Sequence, residues 1–179
     1  MMAATTLEID SWPQTIDDFD RLIEATQDEL IQFAFYRLGN QADAEDAVQD
    51  VYVQAFRDRA KRQHVTGVRP YLFRMVRNRC TDALRLRARQ ARQAVGETSG
   101  GEDAFSSIAA QEQAQQISRL LEEIPRREAD VIRLRSWSGL SFAEVALAVG
   151  ASVPTVKSRF RYGIDKLRRL MCPEGGPRK

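Results

Sequence analysis

Residues 141–159 read Ser141-Phe142-Ala143-Glu144-Val145-Ala146-Leu147-Ala148-Val149-Gly150-Ala151-Ser152-Val153-Pro154-Thr155-Val156-Lys157-Ser158-Arg159, and their order decides how the chain is read. Val145, Ala146 and Val149 give a short helix one apolar side. Gly150 ends it, because glycine enters the left-handed backbone of a tight turn without steric cost. Ser152 is placed to cap a second helix, and Pro154 is accommodated only in a first helical turn. That helix presents Lys157, Ser158, Arg159 and Arg161, side chains that reach phosphates and base edges when a helix lies in the major groove. Val156 and Phe160, four residues apart, are expected to pack inward. The stretch therefore reads as a helix-turn-helix, and DNA is its expected partner.

Outward from that unit, charge is the next signal. The 179 residues carry a net charge of only +2. That small total conceals net −9 over residues 1–60, +9 over 61–95, −5 over 96–124 and +7 over 125–179. Two basic blocks separated by acidic ones suggest two nucleic-acid contacts, although solvated helix faces produce charge runs as well. Cys80 and Cys172 stand far apart with no CxxC, which fits a reducing cytosol without a disulfide framework. With His64 the sole histidine, a zinc site is not expected. No apolar run approaches the roughly 20 residues of a membrane span, and the N-terminus lacks the pattern of a signal peptide. A cytoplasmic protein without membrane insertion is expected.

The remaining periodicity is helical throughout, so the expected fold is all-α. Residues 1–15 read as a flexible arm. Thr15 or Asp17 is placed to cap a first helix reaching Leu38, with Phe19, Leu22, Ile23, Leu30, Phe33, Ala34 and Leu38 at helical spacing. Gly39-Asn40 ends it. A second helix is expected from about Ala42 to Arg59, burying Ala44, Val48, Val51, Ala55 and Phe56. Residues 60–70 break the pattern and read as a loop. A third helix follows from about Pro70 to Ala91, combining apolar Tyr71, Leu72, Met75, Val76, Ala83, Leu84 and Leu86 with a dense set of arginines. Residues 94–106 are polar and glycine-rich, as a linker is, and a second domain covers 107–172 before a short tail, 173–179. In that domain Val131, Ile132, Leu134 and Trp137 are expected to face inward.

Taken together, the run Gly39-Asn40-Gln41-Ala42-Asp43-Ala44-Glu45-Asp46-Ala47-Val48-Gln49-Asp50-Val51-Tyr52, the segment Arg69 to Arg85 and the segment Ile124 to Arg168 resemble a bacterial RNA polymerase sigma factor of the short, extracytoplasmic-function (ECF) group of the sigma-70 family. The similarity covers about residues 16–171. It implies two small helical domains, region 2-like (16–93) and region 4-like (107–172), and a role in promoter recognition, promoter melting and transcription initiation. The partners it implies are the polymerase core, promoter DNA and an anti-sigma factor, with no cofactor and no small-molecule substrate. Asp43, Glu45, Asp46, Gln49 and Asp50 would form the polymerase-binding surface. The implied minus-ten contacts are His64, Arg69, Tyr71, Arg74 and Asn78 for bases, with Arg77, Arg85, Arg87 and Arg89 for phosphates. The implied minus-35 contacts are Thr155, Lys157, Ser158, Arg159 and Arg161, with Arg126 and Arg127 on the DNA backbone.

The chain departs from the family pattern at three points. Tyrosine stands at 71 where tryptophan is frequent. Pro154 replaces a usual glycine. Tyr162-Gly163 replaces a common Arg-Ala pair, which removes an expected DNA contact and puts a glycine in a long helix, at about 1 kcal/mol relative to alanine.

Residues 124–159 alone would equally suit a LuxR-type two-domain regulator, but the first half lacks the alternating α/β pattern of a receiver. A sigma-like decoy that binds an anti-sigma factor would use the same surfaces. An enzyme fits poorly, because the carboxylates have no histidine or phosphate-binding loop beside them.

Overall fold

The computed structural model describes residues 11–62, 64–93 and 119–171. Among them are six complete α-helices, a further helical segment at 119–122, one short 3-10 turn and no strand. Helix α1 (Ile16–Leu38) begins where Thr15 and Asp18 form a reciprocal capping box, each side chain bonding the other's backbone N–H. It ends at Gly39 with φ +72°, a conformation that costs any residue with a Cβ about 1 kcal/mol or more. Asn40 then accepts from the Asp43 N–H and starts α2 (Gln41–Arg57). The 3-10 turn Arg59–Arg62 leads to α3 (Val68–Gln93).

The expected loop is thus shorter than residues 60–70. Gly67 has φ +74° and hands the chain into helix two residues before Pro70. Proline as third helical residue loses nothing, since the first-turn N–H groups have no intrahelical acceptor.

Phe33, Ala34, Leu22, Leu30, Ala44, Ala55, Leu72, Phe73 and Val76 are fully buried where α1, α2 and α3 meet. Of the apolar positions expected inside, Phe56 and Leu86 are instead exposed. Trp12 differs the other way. It lies in the expected mobile arm, yet it is 2% exposed and packs edge-on against Tyr71 with ring centroids 5.6 Å apart. An indole carries enough apolar area to hold an arm down by itself. Residues 1–10 of that arm, the expected linker and the tail fall outside the described residues.

Tyr52 is the one buried phenol of this bundle whose hydroxyl meets a side chain from another helix, Thr26, at 2.7 Å. Burial pushes its pKa up to about 12, the Thr26 contact opposing that shift. The phenol is harder to ionise folded than unfolded, so this contribution to stability is complete below the ordinary value of 10.0 and is lost as pH rises toward 12. Thr26→Val keeps the shape but strands the Tyr52 hydroxyl. It is expected to cost about 1–3 kcal/mol, read as a lower urea midpoint.

The second unit is built around α4 (Arg126–Trp137), α5 (Phe142–Val149) and α6 (Val153–Met171). Ser141 and Glu144 make a second capping box, and Gly150 (φ +67°) closes α5. The Ser152 hydroxyl accepts from the Thr155 N–H at 3.4 Å, so Pro154 sits in the first turn of α6 as its chemistry requires. Val131, Leu134, Leu140, Val145, Ala148 and Val156 are fully buried.

The two units pack on each other. Their buried cores are continuous, with α1 against α4 and α3 against α5. Tyr36 stacks on Trp137 at 4.3 Å between centroids and 21° between planes. Beside this stack, Arg37 of α1 is ion-paired with Asp130 of α4, both nearly fully buried. Arg69 of α3 donates to the Ser138 carbonyl at 2.5 Å.

Candidate nucleic-acid interface

Acidic α2 lies alongside basic α3, and the two neutralise each other at two points. Asp43 pairs with Arg87. Asp50 accepts two bonds from Arg79, at 2.9 and 2.5 Å. Arg87 also reaches the Leu38 carbonyl at the end of α1. Two of the five residues expected to bind polymerase are therefore engaged within the domain. Glu45, Asp46 and Gln49 remain on the exposed side of α2, with Glu45 accepting from Gln41.

The expected minus-ten set divides similarly. His64, Arg74 and Asn78 are exposed. Tyr71 is half-buried. Trp12 abuts its ring, Arg62 lies over it at 4.8 Å, and the Arg62 guanidinium donates to its hydroxyl. The ring and the hydroxyl of Tyr71 are thus both engaged within the protein. Arg69 is also occupied, holding Glu29 at 2.6 Å as well as Ser138. Trp12 and Arg62 were missed in the sequence because one stands in a segment without periodicity and the other among many unremarkable basic residues.

In the helix-turn-helix, α6 turns different residues to different sides. Lys157 and Arg161, four apart, are exposed on one face. The Lys157 ammonium lies 5.9 Å above the Phe142 ring, and Arg161 lies over the ring of Tyr162, which is 60% exposed. Thr155 shares its hydroxyl with Ser152, and Ser158 is half-buried. Val156 and Phe160 pack inward, Phe160 edge-on to Phe142.

Arg159 points elsewhere. It lines a cleft of about 670 Å³ between the two units, together with Arg77, Asn78 and Arg85 from α3 and Arg126, Arg127 and Asp130 from α4. Arg126 crosses that gap to donate to the Thr81 hydroxyl at 2.8 Å. Residues expected on the minus-ten element and residues expected on the minus-35 element therefore face one another. Burial lowers the pKa of Arg77 and Arg126, and the positive field of Arg37 adds to it. Arg133, which shares a second cavity with Arg126, is pushed down to about 10, chiefly by burial.

Among the described residues no cluster of three or more His, Cys, Asp or Glu is placed to hold a metal. No described helix is long and apolar enough to cross a membrane. Burial raises the Cys80 thiol to about 11, which keeps it protonated and unreactive.

Comparison with known proteins agrees with this division. The family Sigma-70 region 2 matches residues 22–90, and Sigma-70, region 4 matches residues 114–167. The ECF RNA polymerase sigma factor SigE of Mycolicibacterium smegmatis is 29% identical over 165 residues, spanning 86% of this chain and 62% of SigE. SigM of Mycobacterium tuberculosis is 29% identical over 156 residues, covering 86% of this chain and 76% of SigM. EcfG of Rhodopseudomonas palustris is 26% identical over 146 residues, covering 82% and 81%. In fold the chain is similar to the sigma factor RpoE of Bartonella quintana, solved with the anti-sigma factor NepR (TM-score 0.68, 21% identity, 89% of this chain and 100% of that one). It is also similar to CnrH, solved with the cytosolic domain of CnrY (TM-score 0.71, 23% identity, 90% and 92%). The chain belongs to the ECF group of the sigma-70 family of RNA polymerase sigma factors.

Proposed function

We propose that this protein is a promoter-specificity subunit of bacterial RNA polymerase, acting in the cytoplasm and contributing no catalysis of its own. Its region 2 unit docks on the polymerase core and opens the minus-ten element, while its region 4 unit grips the minus-35 duplex. One observation carries this reading: matches to the two sigma regions fall on the two helical units that carry the separated basic blocks.

The polymerase contact is assigned to Glu45, Asp46 and Gln49, the exposed members of the α2 face. Asp43 and Asp50 act by holding α3 against α2. In the DNA complex Lys157 and Arg161 read or clamp the upstream groove from one face of α6. His64, Arg74 and Asn78 are available for the melted strand, and Tyr71 becomes available when Trp12 and Arg62 withdraw. Arg77, Arg85, Arg126, Arg127 and Arg159 are phosphate contacts that need the two units to part. Two modest DNA affinities then act together through effective concentration once both units sit on the polymerase. An anti-sigma factor is expected to bind the free protein, as NepR and CnrY bind the proteins of similar fold.

Run-off transcription with purified core polymerase on a promoter library tests the function. Sequence-specific transcripts are the expected result. A decoy would yield none, and tight specific promoter binding without polymerase would indicate an ordinary regulator. Reversing one exposed charge tests the docking face. Asp46→Arg is expected to weaken core binding at least tenfold, about 1.4 kcal/mol, with unchanged helical circular dichroism. Undiminished co-purification with core would remove Asp46 from the interface.

A further inference from the structure

The cleft between the two units carries more positive charge than the protein neutralises. Five arginines line it (Arg77, Arg85, Arg126, Arg127 and Arg159) against two carboxylates, Asp82 and Asp130. Both carboxylates are engaged already, Asp130 by Arg37 and Asp82 by Arg85. Among the described residues, Arg77, Arg126, Arg127 and Arg159 form no ion pair. Their observed polar contacts are to neutral groups: Arg126 to the Thr81 hydroxyl and Arg77 to the Asn78 amide oxygen. Arg133, 7% exposed in a second cavity that Arg126 also borders, has a buried Nε with no partner among the described residues.

Guanidiniums gathered this way repel one another and have surrendered part of their hydration, a cost that only an anion between them recovers. The planar N–H fork of arginine matches a tetrahedral oxyanion two bonds at a time. Convergence from α3 on one side and from α4 and α6 on the other suits an anion with several charged groups in a row. A cleft of about 670 Å³ has room for such a ligand. We propose that this interdomain cleft is a binding site for a compact polyphosphate, an inorganic phosphate chain or the phosphate chain of a nucleotide, bridging Arg77 of the first unit to Arg127 and Arg159 of the second. The anion would hold the two units closed and compete with promoter phosphates for the same arginines. The inference rests on the closed packing of the units and not on the transcriptional role, so its failure leaves the transcription assay standing.

The test is isothermal titration of the full chain with tripolyphosphate at low, matched ionic strength, ATP being titrated in parallel. Saturable binding at one site per chain is expected. Equal affinities would assign recognition to the phosphates alone, and tighter ATP would assign the nucleotide as the source. Arg77→Gln alone, and Arg127→Gln with Arg159→Gln, should each weaken binding at least tenfold. Lys166→Gln with Arg169→Gln, a like charge change on exposed residues of α6 outside the cleft, should change it less than twofold. Tyr36→Ala with Trp137→Ala alters no charge but removes the stack between the units, and should also weaken binding at least tenfold. Four results would overturn the site: heats no larger than with sodium chloride, several sites per chain, equal loss in the Lys166/Arg169 control, or full affinity after the Tyr36/Trp137 change. Hexaglutamate binding as tightly as tripolyphosphate would overturn the phosphate class.

Discussion

Asp130→Ala is expected to part the two units of the free protein without unfolding either. Asp130 is the one carboxylate paired with buried Arg37, and Arg77, Arg126 and Arg133 all feel its field. Removing one partner of a buried pair costs about 3–5 kcal/mol, because the other charge stays out of water uncompensated. Here the penalty has an escape. Arg37 is on α1 and Asp130 on α4, so separating the units returns Arg37 to solvent. The bundle of α1, α2 and α3 keeps its own buried residues, and so does the helix-turn-helix. The lost free energy should therefore appear as opening.

Two measurements follow that expectation. Small-angle scattering should give a larger radius of gyration at unchanged helical content. Free Asp130→Ala protein should bind promoter DNA more tightly by up to about a hundredfold to a few thousandfold, since each 1.4 kcal/mol of the roughly 3–5 kcal/mol taken from the closed state is a factor of ten. Arg37→Met with Asp130→Leu, an apolar pair of similar bulk, should keep the units together, because a well-packed apolar replacement of a buried ion pair is often neutral. Unchanged scattering and DNA affinity in Asp130→Ala would show that the pair does not hold the units closed.

The arrangement that this pair secures is what sequence reading could not reach. Local signals were legible where the chemistry is local: Thr15, Gly39 and Asn40 at the helix ends of the first unit, Gly150 and Ser152 in the second. Caps depend on a few neighbouring residues, so spacing reveals them. The all-α fold was legible from helical spacing in the same local way, whereas the two sigma regions were legible only through the resemblance of residues 39–52, 69–85 and 124–168 to a known family.

The site was legible by residue type but not by arrangement. Asp43 and Asp50 look like free carboxylates in a run, yet their partners Arg87 and Arg79 lie 44 and 29 positions away. Arg37 falls at helical spacing from Phe33 and Ala34, on the buried side of α1. A charge on that stripe was the available sign of a buried partner, but nothing local names Asp130, 93 positions on. Trp12 and Tyr71 meet for a reason equally invisible in order of residues: a large ring at the edge of a bundle covers whatever apolar surface it reaches.

Gly163→Leu is expected to dismantle the second unit, although helix propensity alone predicts the opposite. In isolation, glycine within α6 is a weakness of about 1 kcal/mol that any side chain would relieve. In the fold Gly163 is buried, and a Cβ there would stand 2.7 Å from Ile132 Cδ1 and 3.2 Å from Glu128 Cβ. The glycine lets α6 lie directly on α4. Alanine gains the propensity, and its clash is partly relieved by turning the end of Ile132, so Gly163→Ala should come out near balance. Leucine has no such relief. It must push α4 from α6, opening the cluster of Leu121, Ile124, Ala129 and Ile132, at about 3 kcal/mol for overpacking. Thermal unfolding should then show the region 4 unit melting well below the region 2 unit. Higher melting temperatures for both variants would mean that Gly163 is only a weak point in a helix. The close approach also has a functional consequence, because α4 carries Arg126 and Arg127 while α6 carries Arg159. A shift between these helices would scatter the arginines proposed to act on one phosphate backbone, so on that proposal Gly163→Leu should lose promoter-specific transcription even where enough protein remains folded to bind core.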